Sequence, residues 1–96
     1  MYQLEIKQAA VLMTKEAYAW YEEKRVGLGE NLLDDLDHCY KKLLQNPQAN
    51  KKVYKSFRQM SLSIFPYVII YEIFGDKIVV FSVFHTRQNS RNKFKS

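Results

Sequence analysis

The residues best suited to chemistry lie at the end of an apolar run near the C-terminus. His85 and Arg87 close that run, and a polar, basic tail that contains Arg91 follows them. An imidazole can transfer protons near neutral pH, and guanidinium groups bind phosphates and carboxylates. We therefore expect a basic rim that binds an anionic or acidic target. The alternative for His85 is a strand-end residue that bonds only to backbone.

The other cations are concentrated in the second half of the chain. Residues 1–50 contain six Lys/Arg and eight Asp/Glu, whereas residues 51–96 contain nine and two, so the net charges are −2 and +7. Such a field favours nucleic acid or an acidic protein segment as a partner. A solvated surface that only aids solubility would account for the total of +5, but it accounts less well for the local excess.

Length and composition predict one globular domain over residues 1–96, with 47% hydrophobic residues and no low-complexity stretch. No apolar run reaches membrane-spanning length and the N-terminus does not resemble a signal peptide, so a cytoplasmic protein without membrane association is expected. The single Cys39 cannot form an internal disulfide and is expected to be buried. Two isolated histidines, His38 and His85, and the lack of a Gly-rich phosphate loop predict no metal and no cofactor.

The elements that must position these residues begin with a strand and two helices. Residues 2–7 alternate between apolar and polar, which predicts a half-buried strand. Helical spacing covers residues 9–25, with Trp20 expected in the core, until Gly27-Leu28-Gly29 breaks the helix. A second amphipathic helix ends at Asn46-Pro47. Its predicted polar face contains Asp34, Asp35, Asp37, His38, Lys41 and Lys42.

Strands are predicted after the helices. Apolar residues alternate with polar ones up to Ile64, so residues 51–64 predict a strand, with a bulge or break near Arg58 that turns this side chain outward. Residues 65–87 predict a β-hairpin, because two runs rich in β-branched and aromatic residues flank Gly75-Asp76.

The predicted order is therefore strand, helix, helix, strand, strand, strand. This order indicates an α+β fold in which an N-terminal strand and a helical hairpin precede a three-stranded antiparallel β-meander in a curled sheet. On the first hairpin strand, one predicted face contains Val68, Ile70 and Phe74, and the other contains Tyr67, Ile69, Tyr71 and Ile73. On the last strand, one predicted face contains Val79, Phe81 and Val83, and the other contains Ile78, Val80 and Phe84.

Two amphipathic helices can cover only one face of this sheet. The other face should then expose an apolar patch suited to binding a protein. If the helices cover the Tyr67/Tyr71 face, the patch includes Val68, Ile70 and Phe74. The alternative is that the loop after Pro47 or the C-terminal tail folds over it.

Taken together, these patterns resemble the RelE/ParE superfamily, the small bacterial toxins of type II toxin–antitoxin systems. The most specific part is the combination of Phe-Pro-Tyr, a later Tyr and His-x-Arg. The matching segments cover nearly the whole chain in the same order: Ala17 through Trp20-Tyr21-Glu22-Glu23, Gly27-Leu28-Gly29, Asn46-Pro47, Arg58, Phe65-Pro66-Tyr67, Ile70-Tyr71 and Val83-Phe84-His85-Thr86-Arg87.

The resemblance implies a cognate antitoxin that wraps the toxin and holds it inactive, in a toxin–antitoxin hetero-oligomer. The residues expected to face that antitoxin are Val68, Ile70 and Phe74. The resemblance also implies one of two activities. Some members look like ribosome-dependent endoribonucleases that cut mRNA, and others poison DNA gyrase.

If the chain is an enzyme, it is expected to be a metal-independent, ribosome-dependent endoribonuclease. RNA cleavage through the 2′-hydroxyl needs a base, an acid and cations around the phosphate. The candidate catalytic residues are His85 as acid or base, with Arg58 and Lys55 as electrostatic catalysts. Tyr54 or Tyr71 would donate a proton or stack on a base.

One departure from the nuclease pattern favours the other branch. Val68 stands three positions before Tyr71, where nuclease members resemble one another in having a basic residue. The leading hypothesis is a ParE-like toxin that arrests growth by binding a macromolecular target, DNA gyrase. The target-binding residues are then Arg58, His85, Arg87 and Arg91. The alternatives are the mRNA endoribonuclease and a degenerate toxin that retains only antitoxin binding.

Overall fold

A computed structural model of the chain describes residues 1–87, so Arg91 lies outside the described residues. The elements are β1 (Gln3–Ile6), α1 (Gln8–Lys24), α2 (Leu28–Gln45), a short 3₁₀ helix (Pro47–Ala49), β2 (Lys52–Tyr54), β3 (Phe57–Ser61), β4 (Tyr67–Phe74) and β5 (Lys77–His85). The strands form one sheet in the order β1-β5-β4-β3-β2, with β1 parallel to β5 and the other neighbours antiparallel. The predicted α+β fold is confirmed.

The two helices form a hairpin that is closed by a side chain of α1. Gly27 adopts a left-handed conformation with φ of 92°, which a residue with a Cβ adopts at a cost. The carboxylate of Glu22 accepts hydrogen bonds from the backbone N–H groups of Gly27 and Gly29, at 3.0 and 2.9 Å. Glu22 thus satisfies donors at the start of α2 that have no partner within the helix. The predicted helix break is therefore a tight turn capped from the preceding helix.

The main core lies between the helical hairpin and one face of the sheet. Cys39 is fully buried and free, as expected from the sequence. Burying each large aliphatic side chain here contributes about 1.5–3 kcal/mol to folding. Tyr71 is also fully buried, and its hydroxyl donates to the carbonyl oxygen of Pro47 at 2.6 Å, so its polar atom is satisfied. The helices contribute Leu32, Leu36, Cys39 and Leu43, and the sheet contributes Ile69, Tyr71, Ile78, Val80 and Val83.

The sheet has five strands where the sequence predicts fewer, because residues 51–64 form two short strands. The chain turns back between β2 and β3 at Lys55, which has φ of 50°. Lysine at a left-handed position gives no sequence signal comparable to glycine, asparagine or proline at a turn. The prediction of a three-stranded meander is therefore wrong, and four antiparallel strands follow the helices.

The last strand contains a bulge that reverses two predicted orientations. Ile70 pairs with Ser82 and Tyr71 pairs with Val80, so Phe81 is an extra residue in β5. Val83 consequently packs in the main core, whereas Phe84 belongs to a second cluster. The prediction placed each of them on the opposite face. An extra residue changes the alternation of every side chain beyond it.

The sheet face opposite the helices is more covered than predicted. Val68, Ile70 and Phe84 form a second buried cluster, against which Phe57 packs. The aromatic rings of Phe57 and Phe81 meet edge to face at 5.3 Å. The expectation that Val68 and Ile70 form an exposed patch is wrong, because their exposed fractions are 4% and 0%. Phe74, at 50%, is the exposed member of the three.

Candidate functional site

His85 is the last residue of β5, and its ring contacts a neighbouring strand and the backbone that follows. His85 pairs with Tyr67 across the sheet, and the two rings meet edge to face at 5.2 Å. The backbone N–H of Arg87 donates to Nδ1 of His85 at 3.0 Å. Because an amide N–H can only donate, Nδ1 is an acceptor, and a neutral His85 carries its proton on Nε2. Arg87 itself is exposed, as a member of a basic rim should be.

The buried carboxylate of Asp35 holds the loop that precedes β4, next to the end of β5. The sequence pattern predicts this residue on the polar face of α2. Asp35 is only 3% exposed, and its oxygens accept hydrogen bonds from the N–H groups of Ser63, Ile64 and Phe65 at 3.2, 2.9 and 2.9 Å. These bonds fix the loop that leads into Tyr67. A sequence signal existed: Asp35 lies three residues after Leu32, on the apolar stripe of α2.

A groove of about 290 Å³ runs between α1 and the end of the sheet. Trp20 was predicted to be a core residue, but 53% of it is exposed at this groove. Its ring meets Tyr21 edge to face at 4.9 Å, and Nζ of Lys24 lies 4.7 Å from its centre. The groove is lined by Met13, Glu16, Ala17, Trp20, Tyr67, Val83, Phe84 and His85.

Arg58 lies at a second site, on β3, which borders β4 on the side away from β5. The β2–β3 pairing is irregular at Val53, between the Lys52–Arg58 and Tyr54–Phe57 pairs, so an irregularity does lie beside Arg58, but the prediction that it turns Arg58 outward is wrong. Arg58 pairs with Tyr71 and keeps the core-facing side of the sheet. Its Nη1 atom donates to the carbonyl oxygens of Asn50 at 2.6 Å and Gln48 at 3.4 Å. These acceptors explain how a guanidinium can occupy a position that strict alternation assigns to the core.

The β2–β3 hairpin presents further cations beside Arg58. Lys52 is the direct cross-strand partner of Arg58. At the turn, Nζ of Lys55 lies 5.3 Å from the centre of the Tyr54 ring. Residues 51–56 are all exposed. Of the two tyrosines proposed from the sequence to stack on a base, Tyr54 is accessible, whereas Tyr71 is buried and burial raises the pKa of its hydroxyl.

The structure does not bring His85 together with Arg58 and Lys55. His85 pairs with Tyr67 and Arg58 pairs with Tyr71, four residues further along β4. Strand spacing therefore puts their Cα atoms on the order of 16 Å apart. Lys55 is further still, because the adjacent Ser56 donates to Glu72 at 2.6 Å near the far end of β4. Arg58 and Lys55 belong to the β2–β3 hairpin, and His85 lies beside the first residue of β4, away from that hairpin.

The described chain offers no ready metal site. Within residues 1–87, no group of three or more His, Cys, Asp or Glu side chains is arranged to hold a metal ion. Over the same residues, neither helix has the length and apolar composition to cross a membrane.

Comparison with solved structures identifies the fold. The chain superposes on a chromosomal ParDE toxin–antitoxin system from P. aeruginosa with a TM-score of 0.79 and 16% identity, covering 88% of this chain and 96% of that one. For the isolated E. coli RelE toxin the TM-score is 0.67 at 18% identity, with coverages of 95% and 90%. For the intact E. coli RelBE toxin–antitoxin complex the TM-score is 0.68 at 18% sequence identity, and the match covers 92% of this chain and 100% of that one.

Comparison by sequence identifies the family. No curated protein matches the chain closely enough to count as a relative. A family model described as the ParE toxin of the type II toxin–antitoxin system parDE matches residues 4–90. Because this match spans nearly all of the sequence, the chain belongs to the ParE family of type II toxin–antitoxin toxins.

Proposed function

We propose that this toxin arrests growth by binding DNA gyrase and that it does not cleave RNA. The observation that carries this proposal is the separation of His85 from Arg58 and Lys55, on the order of 16 Å or more by strand geometry. An acid–base residue must reach the same phosphate that the cations stabilise. Groups spread over two sites are better suited to holding a large partner than to stabilising one transition state.

Two further features of the strand end support a binding role. Nδ1 of His85 already accepts a backbone hydrogen bond, so the neutral ring has no ring nitrogen left to take up a proton without losing that bond. Val68 is apolar and 4% exposed, and cannot supply the cation expected of a nuclease at this position. The proposed target-binding residues are Arg58, His85 and Arg87, together with Arg91 beyond the described residues.

The proposal includes a cognate antitoxin. The similar RelBE structure is described as a toxin–antitoxin complex and the similar ParDE structure as a toxin–antitoxin system. In this chain, Phe74 is the accessible member of the set that the sequence assigns to the antitoxin. Val68 and Ile70 lie buried on the face opposite the helices. We assign direct contact to Phe74 and a supporting role beneath the surface to the other two.

The test uses the purified chain in two assays run side by side. Inhibition of supercoiling and accumulation of cleaved plasmid are measured with gyrase, and mRNA cleavage is measured on translating ribosomes. Gyrase inhibition without mRNA cleavage is expected. Cleavage of mRNA without gyrase inhibition would show that the toxin is an endoribonuclease. If neither gyrase inhibition nor mRNA cleavage is seen, the chain is a degenerate toxin.

Substitution of the two histidines gives the sharper comparison. His85→Ala should only weaken gyrase inhibition, because it removes one contact among several. If His85 were the general acid or base of a nuclease, the same change would reduce cleavage about 10²–10⁴-fold. His38→Ala is the matched control, since His38 is exposed on α2, and it should leave both assays unchanged.

A further inference from the structure

We propose that the basic hairpin, residues 51–58, is a binding element for the phosphate backbone of nucleic acid, and that the backbone it contacts is the duplex DNA held by gyrase. This inference rests on the proposed function and deepens it, because it makes the toxin's target a protein–DNA complex. The partner is recognised by its regularly spaced negative charges, which lysine and arginine side chains neutralise.

The sequence around the hairpin is entirely free of acids. Between Asp37 and Glu72 there is no Asp or Glu, and this stretch contains six cations: Lys41, Lys42, Lys51, Lys52, Lys55 and Arg58. Within residues 1–87, the ion pairs join Lys7 and Lys77 to Glu5 and Lys41 to Asp37. The cations of the basic hairpin take no part in those pairs. Glu72, which accepts a hydrogen bond from Ser56 at 2.6 Å, offsets one of the hairpin's four positive charges and leaves a local excess.

The pairing of Lys52 with Arg58 is the second observation. Residues directly opposite in an antiparallel pair have Cβ atoms about 5 Å apart, and like charges in that position are destabilising. Arg58 is held in place by the carbonyl oxygens of Gln48 and Asn50, so it does not simply swing away. An anion bound between the two side chains would relieve the repulsion, and a phosphate has the size and charge to do so.

The surroundings of this cation pair complete a nucleic-acid surface. Lys51 precedes β2, Lys52 begins it and Lys55 lies in the turn that follows it, and all three are exposed. Tyr54 is 45% exposed, and the ammonium of Lys55 lies over its ring. An exposed aromatic ring among cations can contact sugars or stack on an unpaired base. Tyr54 pairs with Phe57, which packs on the face away from the helices, whereas Lys52 pairs with Arg58 on the other face. The ring with Lys55 and the Lys52–Arg58 pair therefore flank the two faces of the same edge, and a duplex lying along that edge would contact both.

A simpler explanation is that the lysines protect an exposed sheet edge. Lysine on a short edge strand discourages pairing with the edge of another molecule, and β2 is the edge next to β3. Edge protection accounts for Lys51 and Lys52. It gives no reason for anchoring Arg58 opposite Lys52 or for exposing Tyr54. It also makes a different prediction, self-association of a variant that lacks these lysines.

The experiment compares two variants of equal charge. In Lys51→Gln/Lys52→Gln/Lys55→Gln the hairpin loses three charges, and in Lys15→Gln/Lys24→Gln/Lys41→Gln the helices lose three. Fluorescence anisotropy measures binding of labelled duplex DNA and single-stranded RNA of equal length at several salt concentrations between about 50 and 200 mM. Sedimentation records self-association, and circular dichroism confirms folding.

The hairpin variant should bind duplex DNA more weakly, with the slope of log K against log salt smaller by about 3, or roughly 0.9 for each lost phosphate contact. The helix variant should keep the slope of the parent. Equal slopes in all three proteins would overturn the inference, as would unchanged DNA binding together with self-association. Tighter binding of RNA than of duplex DNA would overturn the assignment of the backbone to DNA.

Supercoiling assays on the same proteins separate this inference from the proposed function. If the parent inhibits gyrase while both variants bind DNA like the parent, the hairpin inference alone fails. If the parent binds DNA through the hairpin but does not inhibit gyrase, the proposed function fails and the hairpin stands as a nucleic-acid element.

Discussion

Asp35 is the residue on which the geometry of the β3–β4 loop depends. Replacing it by alanine leaves the N–H groups of Ser63, Ile64 and Phe65 without their acceptor. Hydrogen bonds to a charged group are worth about 1.5–3 kcal/mol, and unsatisfied donors add a penalty. We expect Asp35→Ala to lower the free energy of unfolding by about 2–4 kcal/mol, measured by urea denaturation.

The matched control for this prediction is the neighbouring carboxylate. Asp34 is exposed on the same helix, so Asp34→Ala should change the unfolding free energy by less than about 0.5 kcal/mol. Similar losses for the two variants would show that the charge of α2 matters and that the loop anchor does not.

The hydroxyl of Tyr40 makes the free energy of unfolding depend on pH in the alkaline range. Burial, with a smaller contribution from Cys39, raises the pKa of its hydroxyl to about 12, whereas an unperturbed tyrosine titrates near pH 10. The unfolded chain therefore loses this proton first, and stability that is complete below about pH 10 is lost as pH rises through about 12. A shift of this size corresponds to about 2–3 kcal/mol.

Replacing Tyr40 by phenylalanine tests this dependence. Urea denaturation between about pH 9 and 12 should show a shallower loss of stability for Tyr40→Phe than for the parent. Part of the loss should persist, because burial also raises the pKa values of Tyr67 and Tyr71. A Tyr40→Phe profile that superposes on the parent would contradict the assignment.

Among the elements, the helical hairpin depends on Gly29, because the close packing around it leaves no room for a Cβ atom and not because its backbone conformation requires glycine. A Cβ on Gly29 would lie 2.8 Å from the ring of Tyr18 and 2.9 Å from Oε1 of Glu22. The Tyr18 ring cannot retreat freely, since its hydroxyl donates to Glu30 at 2.9 Å. We expect Gly29→Ala to cost about 1–3 kcal/mol of unfolding free energy, as overpacking does elsewhere.

Gly75→Ala separates this effect from backbone strain. Gly75 has φ of 59° but open space around it, so alanine there should cost only the roughly 1–2 kcal/mol of a left-handed residue. Asparagine, which tolerates that conformation, should recover part of the loss at Gly75 and none at Gly29. Thermal denaturation of the four variants measures this, and recovery at both positions would show that backbone conformation, and not contact with Tyr18, limits Gly29.

The elements could be predicted where a local signal exists. Helical periodicity and Gly27 predicted both helices closely, and Gly75-Asp76 predicted the β4–β5 turn. The turn at Lys55 and the bulge at Phe81 could not be predicted, because their residue types are not those that favour turns or bulges. The missed bulge reversed the predicted faces of Val83 and Phe84.

The candidate sites were harder to predict than the fold, because they depend on distances between strands. The sequence identified His85, Arg58 and Lys55 as functional candidates but contained no information on their separation. The pairing register supplies it, since Tyr67 and Tyr71 align with His85 and Arg58. Arg58 also has a structural role, in binding the carbonyls of Gln48 and Asn50, that no periodicity indicates.

At the scale of the whole molecule, the two edges of the sheet differ. β2 is a short, exposed, lysine-rich edge, whereas β1 pairs in parallel with β5, and there Glu5 binds Lys7 and Lys77. Exposed apolar side chains are distributed over the surface, with Trp20 at the groove, Phe74 at the end of β4 and Ile64 in the β3–β4 loop. Val53 and Tyr54, each 45% exposed, add apolar surface to the lysine-rich edge itself. The proposed nucleic-acid contact and the proposed protein contact are therefore assigned to different residues, the hairpin lysines and Phe74, and not to separate charged and apolar surfaces.

The protein contact is tested by replacing exposed apolar residues on different sides of the molecule. If Phe74 is the antitoxin contact, its ring becomes buried in the complex, and losing such an aromatic anchor costs about 2 kcal/mol or more, which is roughly 30-fold in affinity. We expect Phe74→Ser to show this loss in a calorimetric titration with the purified cognate antitoxin. Ile64→Ser removes a side chain that is even more exposed, 80% against 50%, and should leave the affinity within about twofold. Equal losses would mean that general surface hydrophobicity drives the association, and an unchanged affinity for Phe74→Ser would place the antitoxin elsewhere.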